Sequence, residues 1–398
     1  FLEVAKGKLL GICLGSGGAT SHVAILAGAL GIPAVFGLLD LSRVAHTGDL
    51  ILVDCRREGL VILHPDQTQI TSIDEVAKSP EPADFSDTTL DGCHISLAVN
   101  IARVEELPLL ERFHIRRIGL FRSEFLFMES VDPPSEAFQE SVYRQVVAAG
   151  SDMAVLRTFD IGSDKPVKYL QFPKENNPSM GFRSIRFALQ RQDVLLPQVR
   201  AMIKAASSGN ARIIFPMVSV PEELPKIHDL WKKALDQTQP AREPEWGVMV
   251  EVPSALYMLD EIARYTRYIS LGTNDLLQFF YAIDRTNERL DGFGHPLGIP
   301  FLRLLFYCAA AAKSENIRIG ICGEMAGDPV ALAILAALGV DEFSLRPSAL
   351  PQVRRLIPKM TLRSVGAWLQ ELLSGNVAAD TRGEFRRMFP DLPIDFDQ

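Results

Sequence analysis

Residues 247–251 read Gly-Val-Met-Val-Glu, and residues 268–275 read Tyr-Ile-Ser-Leu-Gly-Thr-Asn-Asp. Each stretch begins with a short apolar run that is typical of a buried strand, and the chain between the two runs has helical character. Polar residues follow both runs, Glu251 after the first and Asn274 with Asp275 after the second. A strand, a helix and a second strand in this order form the β-α unit of a parallel sheet.

The same pattern recurs over most of the chain. Eight β-like runs are predicted, at 94–99, 117–121, 153–156, 211–215, 247–250, 268–271, 318–321 and 342–345. Eight β-α units spread over about 250 residues match the size of a (β/α)₈ TIM barrel. A doubly wound open sheet is the alternative, but no Gly-x-Gly-x-x-Gly fingerprint follows any of these runs.

The sequence before residue 93 predicts a separate α/β domain and a linker. Residues 1–71 hold apolar runs at 9–14, 34–36, 50–53 and 60–63, together with a helix predicted over 21–30. Residues 72–92 contain Pro80, Pro82 and six acidic residues, which is the composition of a solvated linker. We therefore expect domains at 1–71 and 93–398, joined by the linker.

Composition excludes several classes of protein. The 398 residues carry a net charge of −8, which does not suggest nucleic-acid binding. Five scattered cysteines without Cys-x-x-Cys spacing indicate neither a zinc site nor a disulfide framework, and fit a reducing cytoplasm. No apolar run is long enough for a membrane span. The chain starts with Phe-Leu-Glu and enters a strand-like run almost at once, so we expect a fragment whose beginning is missing.

Polar residues follow several of the predicted barrel strands, where the active face of a TIM barrel lies. Four arginines could surround one small trianion because a guanidinium binds carboxylate or phosphate oxygens in pairs: Arg122, Arg157, Arg183 and Arg285. Glu251 and Asp275 are candidate oxygen ligands for Mg²⁺. The alternative is that these carboxylates only neutralise neighbouring arginines.

Two further residues are candidates for chemistry. Cys322 follows the seventh strand between glycines, and its thiol could donate a proton, although a free cysteine is more often a small buried apolar residue. His22 ends the stretch Gly-Gly-Ala-Thr-Ser-His at 17–22, directly after a glycine pair and at the start of the predicted helix. A neutral imidazole there could accept a phosphoryl group, and the alternative is a helix cap or a packing residue.

Eight ordered motifs span nearly the whole chain, at 17–22, 119–128, 156–162, 177–183, 248–253, 272–276, 284–287 and 322–328. In these motifs the chain resembles Enzyme I of the bacterial phosphoenolpyruvate:sugar phosphotransferase system, the family of phosphoenolpyruvate-protein phosphotransferases. The resemblance implies that residues 1–71 are a swivelling phosphohistidine domain and that the barrel binds phosphoenolpyruvate.

The resemblance also implies a role for each candidate residue. His22 would be phosphorylated by phosphoenolpyruvate, Cys322 would protonate the enolpyruvate carbon, and Glu251 with Asp275 would hold Mg²⁺. The substrate would contact Arg122, Arg157, Arg183, Asn274 and Arg285. The implied protein is a cytoplasmic homodimer, associated through the barrel, that passes the phosphoryl group to an HPr-like phosphocarrier.

Two departures and two alternatives accompany the resemblance. The family's helical subdomain that docks HPr is not encoded before His22, and the connecting segment is short and Pro-rich. One alternative is a fragment of a pyruvate phosphate dikinase or phosphoenolpyruvate synthase, which would need an ATP-grasp domain that this sequence does not show. The other is a non-catalytic paralogue that senses phosphoenolpyruvate.

Overall fold

The computed structural model describes residues 9–15, 23, 27, 32–55, 59–70, 86–163, 165, 167, 169–285, 287–290, 292–375 and 380–394. The chain divides into two compact units between residues 84 and 85. No helix among the described residues is both long and apolar enough to cross a membrane.

The first unit contains two small sheets. Strands β1 (Ile12–Cys13) and β2 (Ala34–Val35) pair in parallel, whereas β3 (Ile51–Asp54) and β4 (Leu60–Leu63) pair antiparallel. A short helix, α1 (Leu41–Val44), lies between the two sheets in sequence. Each of the four apolar runs predicted for this unit therefore overlaps a strand. His22 and most of the helix predicted over 21–30 lie outside the described residues.

The second unit is built on a closed barrel of parallel strands. Its members, in chain order, are β5 (Ser96–Ile101), β6 (Arg117–Arg122), β7 (Met153–Arg157), β8 (Ala211–Phe215), β9 (Glu245–Val250), β10 (Tyr268–Leu271), β11 (Arg318–Ile321) and β12 (Glu342–Leu345). The last strand pairs with the first, from Glu342 opposite Ser96 to Leu345 opposite Val99. This closure confirms the predicted (β/α)₈ barrel, and the open-sheet alternative is wrong.

Helices follow the strands and cover the barrel. Their bounds are Pro108–Arg112, Glu124–Met128, Glu136–Ala149, Ser184–Gln190, Gln192–Ala206, Glu223–Thr238, Pro253–Leu256, Leu259–Ala263, Thr273–Tyr281, Ile299–Ser314, Pro329–Leu338, Leu350–Leu356, Leu362–Ser374 and Thr381–Met388. Side-chain caps fix several starts: Ser135 accepts from Phe138 N, and Asp328 accepts from the N–H groups of Val330 and Ala331. Short 3₁₀ turns occur at 104–106, 178–180, 288–290, 324–327, 347–349 and 357–359.

The barrel interior is filled with side chains. One buried cluster consists of Leu120, Met153, Val155, Ile214, Met249, Tyr268 and Cys322. At the amino-terminal strand ends, the Arg212 guanidinium lies 4.4 Å from the centre of the Tyr268 ring and pairs with Glu245 and Glu342. The interior is a packed core rather than a channel, which leaves the carboxyl ends of the strands for a ligand.

Residues 86–92 are attached to the barrel unit. The Leu90 N–H donates to Met360 O at 3.0 Å, and the Asp91 carboxylate accepts from the N–H groups of Leu362 and Arg363. The second compact unit starts at residue 85, and Asp91, an acidic residue of the expected linker, binds the start of the helix Leu362–Ser374. The other residues of the expected linker lie outside the described part of the chain.

Candidate functional site

The candidate side chains lie at the carboxyl ends of the barrel strands. Arg122 and Arg157 are the last residues of β6 and β7, and they are paired in register. Glu251 directly follows β9, and Asn274 and Asp275 lie in the first turn of the helix Thr273–Tyr281 after β10. Parallel strands bring their carboxyl ends to one rim, so these residues share one face of the barrel.

Arg157 is buried beside acidic partners. Its Nη2 donates a hydrogen bond to Glu124 Oε1 and lies 3.8 Å from Asp160 Oδ2. Burial alone would lower the pKa of the Arg157 guanidinium, but the negative charges of Glu124, Asp160 and Glu251 outweigh it and raise that pKa. Arg157 therefore stays charged in a region from which water is largely excluded.

Asp160 joins three cations at the same rim. Its two carboxylate oxygens each accept from Arg183 Nη2 at 2.8 Å, and Oδ2 also accepts from Lys165 Nζ at 2.7 Å. Burial would raise the pKa of Asp160, but Lys165, Arg183 and Arg157 together hold it well below its ordinary value. Asp160 is therefore an anion that keeps Arg183 and Arg157 close together.

Glu251 and Asp275 form the negative part of the site. Glu251 is 2% exposed, and its Oε1 accepts from Met217 N at 2.7 Å. Burial, Asp275 and Asp160 raise the pKa of Glu251 to about 8, although Arg157 and Arg183 oppose the shift. A Cβ at position 272 would lie 2.7 Å from Glu251 Oε2, so the carboxylate packs directly against the backbone of Gly272 and leaves no space there for a larger side chain.

These two carboxylates fit a divalent cation. Within the described part of the chain, Asp275 Oδ1 is buried and accepts no hydrogen bond, and the nearest cation is Arg285 Nη2 at 3.4 Å. A cation bound between the two carboxylates would reduce their mutual repulsion and would give Asp275 Oδ1 a partner. No group of three or more His, Cys, Asp or Glu among the described residues is arranged to hold a metal. Two carboxylates are enough for Mg²⁺, because this ion commonly binds one or two protein carboxylates and completes its coordination shell with water and phosphate oxygens.

Three candidates lie at the outer edge of the site. The Arg285 side chain is 41% exposed and approaches only Asp275 as an ion-pair partner within the described residues. Arg122 is half-buried and makes no side-chain hydrogen bond or ion pair with the part of the chain that the structure describes. The Asn274 Oδ1 accepts from Glu324 N at 3.0 Å. Arg122 and Arg285 therefore keep donors available to a ligand.

Cys322 borders the buried arginine. Its Sγ accepts a hydrogen bond from the Ser270 hydroxyl at 3.4 Å, and its carbonyl accepts from Asn100 Nδ2 at 3.1 Å. Burial raises the pKa of the Cys322 thiol, although Ser270 and Arg157 partly offset the rise. The side chain is thus a protonated thiol at neutral pH, and it also packs against the apolar interior as a buried cysteine commonly does.

The structure joins Arg157, Arg183, Glu251 and Asp275 into one buried group, places Arg285 at its edge and leaves Arg122 beside Arg157. His22 lies outside the described residues. Two acidic residues of the group were not among the predicted candidates, namely Glu124 and Asp160. Both lie within the motifs 119–128 and 156–162, two and three residues after the arginines that end β6 and β7, which is the signal that could have identified them.

Comparison with protein families decides the assignment. Residues 77–362 match the PEP-binding domain of PEP-utilising enzymes, and residues 1–58 match the mobile domain of the same enzymes. The chain belongs to the PEP-utilising enzymes. Within this family it is similar to curated proteins named phosphoenolpyruvate-protein phosphotransferase, which confirms the family assigned from the motifs.

Three relatives illustrate this similarity among PEP-utilising enzymes. The protein of Mycoplasma genitalium is 35% identical over 376 residues, which cover 92% of this chain and 66% of the relative. The protein of Geobacillus stearothermophilus is 36% identical over 387 residues, which cover 94% of this chain and 67% of the relative. The protein of Haemophilus influenzae is 34% identical over 392 residues, with the same coverage of 94% and 67%, respectively. The chain thus spans about two thirds of the length of these curated relatives.

Proposed function

We propose that this chain takes the phosphoryl group of phosphoenolpyruvate, transfers it to His22 and then to an HPr-like phosphocarrier, and releases pyruvate. The observation that carries the proposal is the buried group of Arg157, Arg183, Glu251 and Asp275 at the barrel rim, which combines fixed cations with two crowded carboxylates. Family membership and the similarity to phosphoenolpyruvate-protein phosphotransferases support the same activity.

The arginines would bind the substrate. Phosphoenolpyruvate carries a carboxylate and a phosphate, and planar guanidinium groups can bind both through paired hydrogen bonds. Arg157 and Arg183 are held in place by hydrogen bonds to Glu124 and Asp160, so their positions are set before substrate arrives. Arg122 and Arg285 would donate further hydrogen bonds to the ligand from the edge of the site. Asn274 would bind a phosphate oxygen.

Glu251 and Asp275 would hold Mg²⁺ as the only two protein ligands in this proposal. Bound Mg²⁺ would supply positive charge to the phosphate oxygens. The contribution of the protein is to keep the two carboxylates in place: the Met217 N–H fixes Glu251, and the Arg183 and Arg285 guanidinium groups lie 3.8 and 3.4 Å from Asp275.

The transfer itself needs a nucleophile and a proton donor. An imidazole nitrogen of His22 would attack phosphorus, so that the N–P bond forms while the bond between phosphorus and the enol oxygen breaks. The leaving enolate of pyruvate then takes a proton at its methylene carbon. The protonated Cys322 thiol would supply that proton, and solvent would later return one to the sulfur.

The domain arrangement follows from the same proposal. Residues 1–71 would form the phosphohistidine domain, 72–92 the linker and 93–398 the barrel domain with its C-terminal helices. The first domain would carry His22 to the barrel rim for loading and then to the acceptor, as the match to a mobile domain suggests. Homodimer formation through the barrel and a cytoplasmic location remain part of the proposal.

The activity can be tested by intact-mass spectrometry. The chain is incubated with Mg²⁺ and either phosphoenolpyruvate or ATP, and wild type is compared with His22→Ala. We expect one acid-labile phosphate that requires phosphoenolpyruvate and His22. Loading from ATP would instead indicate a dikinase-type enzyme, and phosphoenolpyruvate binding without transfer would indicate a sensor.

A further inference from the structure

We infer that Gln198 is a positioning residue for the proposed reaction, acting on the candidate arginines through the backbone of two strand ends. Gln198 lies in the helix Gln192–Ala206 and is fully buried. Among the described residues it hydrogen-bonds none of the candidate side chains, and no motif of the sequence singles it out. The inference rests on the proposed function, because it assigns a residue to the same site.

Two of the three hydrogen bonds that the structure shows for the Gln198 side-chain amide are made with residues beside the candidate arginines. Oε1 accepts from Phe159 N at 3.0 Å, and Nε2 donates to Ser123 Oγ and to Tyr143 Oη at 3.0 Å each. A backbone N–H can only donate, so Oε1 must face Phe159 and Nε2 must face the two hydroxyls. The orientation of the amide is therefore determined by its partners.

The first two contacts both hold the backbone that follows the buried Arg157. Phe159 is two residues after Arg157 and directly precedes Asp160, and its N–H is the group that Gln198 binds. Ser123 in turn donates from Oγ to the Arg157 carbonyl at 2.6 Å. A single amide thus fixes the backbone immediately after Arg157 both directly and through one hydroxyl.

The Ser123 contact extends this control to the neighbouring strand. Ser123 stands between Arg122, the last residue of β6, and Glu124, whose carboxylate binds Arg157. Ser123, Gln198 and Tyr143 are each fully buried, so water cannot replace a lost partner. Removing the amide would leave the Phe159 N–H without its acceptor and the Ser123 oxygen without its donor, and the strand ends would shift to recover hydrogen bonds.

The third contact provides a matched control. Tyr143 Oη donates to Gln139 Oε1 at 3.0 Å, and Gln139 Nε2 donates to Pro134 O at 2.9 Å, which leads away from the rim. Tyr143→Phe removes a buried hydroxyl from the same network but keeps the contacts of Gln198 with Phe159 and Ser123. A purely structural role for the network predicts similar consequences for Gln198→Leu and Tyr143→Phe.

The experiment compares wild type, Gln198→Leu and Tyr143→Phe in three measurements. They are hydrogen exchange of the segment 153–163 without substrate, the KM and kcat for phosphoenolpyruvate, and the melting temperature. We expect faster exchange in this segment and a KM raised about tenfold for Gln198→Leu, because small displacements of positioning groups are costly. For Tyr143→Phe we expect a lower melting temperature with exchange and KM unchanged.

Equal KM values for the two variants, or unchanged exchange in Gln198→Leu, would overturn the inference. Should Gln198→Leu fail to fold, Ser123→Ala provides a second test. This variant removes the hydroxyl that links Gln198 to the Arg157 carbonyl but keeps the hydrogen bond between Gln198 and Phe159, and it is also expected to raise KM. A wild type that neither binds nor processes phosphoenolpyruvate would contradict the proposed function instead. The exchange measurement uses no substrate, so it still decides whether Gln198 holds the segment that follows Arg157.

Discussion

Arg183 Nη2 donates to both carboxylate oxygens of Asp160, at 2.8 Å each, and the two residues are only 2% and 1% exposed. The same carboxylate binds Lys165 and lies 3.8 Å from Arg157. A buried ion pair is tolerated while both partners are present, and removing one leaves an uncompensated charge. Asp160 therefore holds together cations that would otherwise repel one another where an anionic substrate is proposed to bind.

Replacing Asp160 by Asn tests this role through stability. Because Arg183 and Arg157 would remain buried with less compensation, the free energy of unfolding is expected to fall by about 3–5 kcal/mol. Chemical denaturation measures the change. Asp193→Asn is the control, since its pair with Arg191 lies at the surface and contributes at most about 1 kcal/mol. A loss for Asp160→Asn no larger than that of the control would contradict the role.

The pKa of Asp160 predicts how this stability depends on pH. The folded-state pKa lies well below the unfolded value of about 3.9, so the folded chain binds fewer protons in that range. The contribution of ionised Asp160 to the free energy of unfolding is complete above the unfolded-state pKa, and it is lost as the pH falls toward the folded-state pKa. The difference in unfolding free energy between wild type and Asp160→Asn should stay constant from pH 7 to about 5 and shrink below about 4. A difference that grows on acidification would be inconsistent with this pair.

Arg285 is expected to matter for substrate and hardly for stability. Its side chain is 41% exposed and lies 3.4 Å from Asp275, so Arg285→Ala should change the unfolding free energy by less than about 1 kcal/mol. The loss of a guanidinium at the edge of the site should nevertheless raise the KM for phosphoenolpyruvate at least about tenfold. Arg289→Ala, four residues along the same loop, should leave KM unchanged. Equal KM values for the two variants would remove Arg285 from the proposed site.

Metal binding is expected to depend on Glu251. Burial and Asp275 raise the pKa of Glu251 to about 8, so without a cation the ionised form is unfavourable. Adding Mg²⁺ at pH 8 should raise the melting temperature of wild type, because binding to the folded state alone stabilises it. Glu251→Gln should lose most of that increase, while its metal-free form should be at least as stable as wild type. The same Mg²⁺ effect in both proteins would place the metal elsewhere.

Cys322 is expected to act after phosphorus has been transferred. Cys322→Ala should slow pyruvate release while binding of phosphoenolpyruvate, measured at equilibrium, stays close to wild type. Cys308→Ala is the control, because that thiol is buried in the helix Ile299–Ser314 away from the strand ends. Pyruvate release as fast in Cys322→Ala as in Cys308→Ala would show that the thiol is not the proton donor.

The barrel could be predicted because its strands are buried on both sides. Runs such as 211–215 and 268–271 are mostly apolar for that reason, and each of them is a strand with the predicted bounds. Arg157 and Glu251 could be proposed as site residues because a polar residue at the end of such a run projects from the rim. Family motifs then gave these positions a specific chemistry.

Contacts between distant parts of the chain could not be predicted in the same way. Spacing along the sequence does not reveal that Glu124 reaches Arg157 or that Gln198, about forty residues later, binds the Phe159 N–H. A glutamine within a helix has no local pattern that separates a surface position from a buried polar network. The contact of Asp91, which binds backbone groups some 270 residues away, could not be predicted for the same reason.

Measuring phosphohistidine and pyruvate in a single turnover with phosphoenolpyruvate and Mg²⁺ is the decisive test of the proposed transfer to His22. We expect one phosphate on His22 and one pyruvate released per active chain in wild type. His22→Ala should yield neither, although it retains the barrel residues that bind the substrate. Pyruvate released without phosphohistidine, or equally by His22→Ala, would contradict transfer to this histidine.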